Sequence, residues 1–151
     1  FLFKGASVGQ ALMDLTKREI ESRFKIKDFM IPRAECPIIA KETLSLESVL
    51  RSIEEGGLGF TIVEEMNKMC GIISNADVRK ALLKHLSNLN EMTGEDMINT
   101  SPVTINTEAT VDDMLNEVRK QSFPVTYLPV IDDQKNAAGI ITFVNLIKGE
   151  I

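Results

Sequence analysis

The chain of 151 residues has little of what most catalytic or metal sites need. It contains one histidine, His85, and two cysteines, Cys36 and Cys70. These are too few, and too far apart in sequence, to make a zinc-type ligand cluster. It has no G-x-S-x-G, no G-x-x-x-x-G-K-[ST] and no G-x-G-x-x-G, so the sequence signatures of a nucleophile elbow, a phosphate loop and a dinucleotide turn are all missing. "GGLG" at 56–59 reads as a helix stop and strand entry. We therefore expect neither catalysis nor a required cofactor. No apolar run approaches the ~20 residues of a membrane helix, and the formal charge of −5 argues against a nucleic-acid surface. The N-terminus has no basic start or long apolar stretch of a secretory signal and opens on Phe1. We expect a fragment of a longer, cytoplasmic protein. Both cysteines sit in strand-like runs and read as buried thiols, to be paired only if the fold brings them together.

What is present is an internal repeat of about 68 residues. Residues 27–83 align with 95–149. Lys27-Asp28-Phe29-Met30 matches Glu95-Asp96-Met97, and "CPIIAKETLSLESVLRSI" matches "SPVTINTEATVDDMLNEV". "FTIVEEMNKMCGIISNADV" matches "LPVIDDQKNAAGIITFVNL", with Val63 over Ile131 and Gly71 over Gly139. Extra residues fall after Met30 in the first copy and in "SFPVTY" of the second.

Each copy predicts the same elements. A short strand follows a proline, at residues 37–40 and 102–105. A helix comes next: Leu46, Val49, Leu50 and Ile53 in one copy, and Val111, Met114, Leu115 and Val118 in the other, keep the i, i+3, i+4, i+7 spacing of one helix face. Ser45 is a candidate N-cap with Gly56-Gly57 as the stop, and Thr110 with Asp113 makes a capping box. Two strands joined by a polar turn follow, at 60–63 and 69–73, then at 128–131 and 138–141. A closing helix carries Val78, Ala81, Leu82 and His85 in the first copy, and spans residues 144–147 in the second. The predicted fold class is α+β: two tandem β-α-β-β-α motifs packed sheet to sheet as one pseudo-two-fold module. One copy of roughly 60 residues buries too little to be secure alone. The expected organisation is a linker or helical segment at 1–24, a first motif at 25–88 and a second at 89–151. The apolar faces of four helices exceed what two small sheets can cover, so we expect a homodimer through helix faces.

The doubled order, "KDFM" and "EDMI" ahead of each copy, "LPVIDDQKNAAGIIT" and "GIISNADVRKAL" together resemble a CBS-domain pair (a Bateman module) over about residues 25–149. "GGLGFTIVEE" followed by "GIISNADVRKAL" is similar to the first CBS copy at the C-terminal end of arabinose 5-phosphate isomerases, which serve Kdo and capsule synthesis. The resemblance implies a regulatory module attached to a sugar isomerase domain, sensing an adenine or cytidine nucleotide or a nucleotide-sugar such as a CMP-sugar feedback ligand. It equally allows a structural dimerisation module that binds nothing.

Ser74 and Asp77, three apart at a strand-to-helix join, have two readings. They form the pattern of an ordinary capping box. In nucleotide-binding CBS pairs a hydroxyl at this place contacts phosphate and the aspartate holds ribose hydroxyls. That chemistry is sound, because free amides at a helix start attract anions and a carboxylate accepts two hydroxyl donors. Asn75 belongs to the same turn. Thr142 keeps the hydroxyl in the second copy, but Asn145 replaces the aspartate and loses the charge-assisted bond. Arg79 and Lys80 are either solvated helix charges or partners for an anionic ligand. Ile39 and Val103, beside the first strands, would flank a base by the family pattern, and otherwise are core.

Overall fold

The computed structural model describes residues 24–142. In chain order the strands are β1 (Ile31–Pro32), β2 (Ile38–Ala40), β3 (Phe60–Glu65), β4 (Lys68–Ser74), β5 (Ile105–Asn106), β6 (Tyr127–Ile131) and β7 (Ala137–Thr142). The helices are α1 (Leu46–Gly56), α2 (Asn75–Lys84), α3 (Gly94–Met97) and α4 (Val111–Arg119). Two sheets and four helices make the described residues α+β, with the repeat visible in the order of elements. The chain forms two compact units: Glu35–Pro102 is one, and the lead-in up to Ala34 together with the chain from Val103 on is the other.

In the unit of residues 35–102, β2 runs parallel to β3, and β3 antiparallel to β4. Helix α1 starts where Ser45 Oγ accepts the Ser48 amide at 3.0 Å. It stops where Gly57 takes the left-handed φ of 68° and donates to Ile53 O. The apolar stripe buries Val49 and Ile53, whereas Leu50 is 45% exposed, so the buried face is narrower than the periodicity suggests. The β3–β4 hairpin closes on Met66 and Asn67, at φ 52° and 66°. Two consecutive left-handed residues give the twist that a two-residue hairpin needs. The core is Val49, Ile53, Val63, Ile73, Val78, Ala81 and Met97.

In the other unit the sheet order is β1-β7-β6-β5. Helix α4 begins with the predicted box: Thr110 N donates to Asp113 Oδ2 at 2.9 Å, and Asp113 N donates to Thr110 Oγ1 at 3.2 Å. The β6–β7 turn is organised by Asp132, whose Oδ1 accepts the amides of Gln134 and Asn136, both at 2.9 Å. The core is Ile26, Ile105, Val111, Met114, Leu128, Val130 and Ile141.

The lead-ins are exchanged between the repeats. Ile31 and Pro32, which precede the first copy, pair with Ile140 and Gly139 of the second. Asn99, which precedes the second copy, bridges Ile72 of the first, with Ile72 N to Asn99 O at 3.0 Å and Asn99 N to Ile72 O at 2.8 Å. Gly71 and Gly139 are the seats. A Cβ on Gly71 would stand 2.6 Å from Asn99 O, and one on Gly139 would run into Ile31 O. The glycine of each "GII" is therefore a close-approach residue, the usual reason for glycine inside a strand.

Three expectations change. Cys36 lies on a bend before β2, not inside a strand, while Cys70 is in β4; both are half-buried rather than buried, and neither forms a disulfide. Of the strand expected at 102–105, only Ile105 is strand, and it continues to Asn106. Gly71 pairs with Val63 and Gly139 with Val130, so the counterpart of Val63 is Val130 rather than Ile131. The second hairpin is one residue longer because its turn wraps around Asp132. Both hairpins keep an irregularity just after these valines. The expected segment at 1–23 and the second closing helix at 144–147 lie outside the described residues.

Candidate functional site

Strand β4 runs to Ser74, whose φ of −101° is still extended, and α2 begins at the next residue. The turn is a closed capping box. Ser74 N and Ser74 Oγ each donate to Asp77 Oδ2 at 2.9 Å, and Asp77 N donates to Ser74 Oγ at 3.2 Å. Asn75 N donates to Gly59 O at 3.0 Å. Gly59 holds a left-handed φ of 84°, so the β3 entry and the α2 start are tied together. Capping accounts for one carboxylate oxygen and for the Asp77 amide, and Gly59 O takes the Asn75 amide. Among the described residues, Asp77 Oδ1 and the Ala76 amide have no protein partner. The helix dipole favours the carboxylate here. The turn therefore leaves one acceptor oxygen, one donor amide and a spare lone pair on Ser74 Oγ unused by hydrogen bonds among the described residues.

Arg79 and Lys80 are exposed on the next turn of α2 and have no ion-pair partner among the described residues. Ile39 is elsewhere in the same sheet. It pairs with Val63, which is three residues along β3 from Phe60, the partner of Ser74. That is ~10 Å along the strands and ~10 Å across two of them. Its side chain packs on the core of its own unit. Val103, likewise, packs on the core of the other unit. Both are half-buried.

Thr142 ends β7 opposite Tyr127, just as Ser74 ends β4 opposite Phe60. It is half-buried and already engaged by the protein. Asn145 lies outside the described residues.

Two features had no sequence signal. His85, the C-cap of α2, places Nε2 3.3 Å from Asp96 Oδ2 in the second lead-in. This is ion-pair distance without hydrogen-bond alignment, since Nε2 has no hydrogen-bond partner. Asp96 is held below its ordinary pKa, first by the Thr93 backbone amide, then by the Thr93 hydroxyl and His85. The residues are eleven apart on two elements, and only the lead-in exchange unites them. The second feature is an open depression of about 530 Å³ lined by Asn106, Glu108, Asp113, Asn116, Glu117 and Lys120, among others. Three carboxylates face one ammonium, which is already paired with Glu117 at 3.3 Å. Its charge disfavours a phosphate. Among the described residues no group of histidines, cysteines and carboxylates could hold a metal, and no helix is long and apolar enough to cross a membrane.

Comparison with known proteins matches the CBS domain at residues 26–84 and again at 95–150. Arabinose 5-phosphate isomerase KdsD of Francisella tularensis is 30% identical over 127 residues, covering 84% of this chain and 38% of that protein. The chain thus spans well under half of this curated relative. The crystal structure of CBSX2 in complex with AMP is 22% identical, with a TM-score of 0.68, covering 84% of this chain and 96% of that one; CBSX2 is from Arabidopsis thaliana. CbpB in complex with c-di-AMP is 23% identical, TM-score 0.68, covering 97% and 93%. At these identities the solved structures establish the likeness of fold.

Proposed function

The chain belongs to the CBS domain family, as a tandem pair, and from that premise we propose that it is a non-catalytic regulatory module whose ligand is an adenine nucleotide. Its binding turn is Ser74-Asn75-Ala76-Asp77. One observation supports this most: the capping box uses only Asp77 Oδ2, leaving Oδ1 free to accept a ribose hydroxyl beside the open Ala76 amide. Capping and ligand binding are compatible, because the box fixes the carboxylate rotamer and removes part of the ordering cost of binding. Arg79 and Lys80 supply positive charge on the approach to phosphate. Thr142 and Asn145 form the weaker counterpart, since an amide lacks the charge of a carboxylate. The adenine preference draws on the relatives solved with AMP and c-di-AMP. A cytidine nucleotide or CMP-sugar is the rival ligand, favoured by the likeness to arabinose 5-phosphate isomerase.

That likeness also supplies the proposed target: a sugar-phosphate isomerase domain on the same cytoplasmic polypeptide, with the modules associating as homodimers. Ligand acts by population shift, moving the equilibrium only by its differential affinity for two states. A second reading rests on the same turn. The closed box gives Ser74 and Asp77 a full structural role, which suits a dimerisation module that binds no ligand.

Calorimetry and melting with AMP, c-di-AMP, CMP and CMP-sugars separate the readings, since a specific binder raises the melting point with concentration. Asp77→Asn keeps a capping oxygen and shape while removing the charge. The nucleotide reading expects it to weaken binding by about 1.5–3 kcal/mol, the worth of a charge-assisted bond. No binding by any of the four ligands leaves the structural reading standing.

A further inference from the structure

The first lead-in is attached to the second repeat far more firmly than a two-residue strand suggests. Ile26 is fully buried in the core made by α4 and β5–β7. Ile26 N donates to Ala109 O at 3.1 Å, and Val111 N donates to Phe24 O at 3.2 Å. Lys25 bridges Thr110 in the backbone, and its Nζ donates to Glu108 O at 2.9 Å. Lys27 pairs with Glu108 at 3.4 Å. Arg33 Nη1 reaches Ala137 O at 3.3 Å, at the start of β7. Between these anchors β1 lies along β7, with Ile31 and Pro32 on Ile140 and Gly139. Just ahead of β1, Phe29 and Met30 close a turn, their amides donating to Ile26 O at 2.9 and 3.1 Å. Both side chains pack on the Ile141 core cluster.

We propose that residues 24–34 are an output strap: displacement of the chain upstream of Phe24 is delivered to the second repeat, and to the strand that ends at Thr142, not to the repeat that follows the strap in sequence. A pull at Phe24 then reaches β7 through β1, and a change in β7 at Gly139 and Ile140 is felt at the strap. The first repeat reports elsewhere, through Asn99 on Ile72, to the segment joining the two copies. The wiring follows from backbone pairing and burial and does not require the nucleotide reading, so it is tested without ligand.

The test is hydrogen exchange on the full 151-residue chain, comparing wild type with Gly139→Ala and Gly71→Ala. Reporters are the amides of Ile26 and Val111 for the strap, and of Ile62 and Ile72 for the first repeat. Gly139→Ala should speed exchange at Ile26 and Val111 about tenfold or more and leave Ile62 within about twofold; Gly71→Ala should do the reverse. Should Gly139→Ala not fold, Ile26→Val removes one buried methyl from the strap. It should then speed exchange in β6 and β7, about a hundred residues away in sequence, while sparing Ile62. Strap amides that follow Gly71→Ala, or all reporters accelerating together in every variant, would overturn the proposal.

Discussion

Replacing Gly71 by alanine adds one carbon where the structure has no room. The new Cβ would stand 2.6 Å from Asn99 O, 2.6 Å from Ile98 Cγ1 and 2.8 Å from Ile98 Cδ1. Non-bonded carbon prefers about 3.5–4.0 Å, so each contact is short by roughly 1 Å. Ile98 cannot simply rotate away, because β-branching stiffens χ1, and Asn99 O is backbone. The lead-in must therefore back off, and the bonds between Ile72 and Asn99, now 3.0 and 2.8 Å, stretch beyond hydrogen-bond range. Two such bonds contribute about 1–3 kcal/mol together at ~0.5–1.5 each, the same range as overpacking costs generally. Alanine returns about 0.4–1 kcal/mol by restricting the unfolded chain. The net expectation is a loss of about 1–2 kcal/mol, read as a lower urea midpoint with unchanged slope. A double-mutant cycle with Ile98→Ala localises the clash. The pair should be less destabilised than the sum of the singles by more than about 0.5 kcal/mol, because truncation clears two of the three contacts. An unchanged midpoint for Gly71→Ala, or strict additivity with Ile98→Ala, would refute a lead-in seated on this glycine.

Ser74→Ala removes the acceptor of the Asp77 amide and should cost about 0.5–2 kcal/mol in melting experiments; a variant as stable as wild type would mean the cap is redundant. The low pKa of Asp96 makes stability depend on pH with a definite sign. Its stabilising effect is fully present above the ordinary value of 3.8 and is lost as pH falls through the depressed folded value. Asp96→Asn should flatten that part of the acid-unfolding curve, and an unaltered curve would count against the Thr93–Asp96 box.

Much of the fold was legible because local chemistry writes it. The helix faces of α1 and α4, the caps at Ser45, Ser74 and Thr110, the stop at Gly57 and the hairpin turns all depend on residues within a few positions of one another. The repeat itself was readable because both copies keep the same sequence of apolar and turn residues. At the candidate turn, the sequence narrowed Ser74 and Asp77 to a cap or a ligand site. Only the folded structure distinguishes the carboxylate oxygens, with Oδ2 in the box and Oδ1 outside it. How Ile39 and Val103 pack depends on neighbours far along the chain, which no local pattern writes. The off-by-one pairing of Val63 arose because Val130 and Ile131 are interchangeable by class, and only strand register tells them apart. What tertiary structure alone decided is the exchange of lead-ins. A two-residue strand carries no periodicity to read, and its partner is chosen by where a glycine lets two backbones touch. Gly71 and Gly139 are ordinary strand glycines in the sequence, and become the seats of the fold only when Asn99 and Ile31 arrive against them.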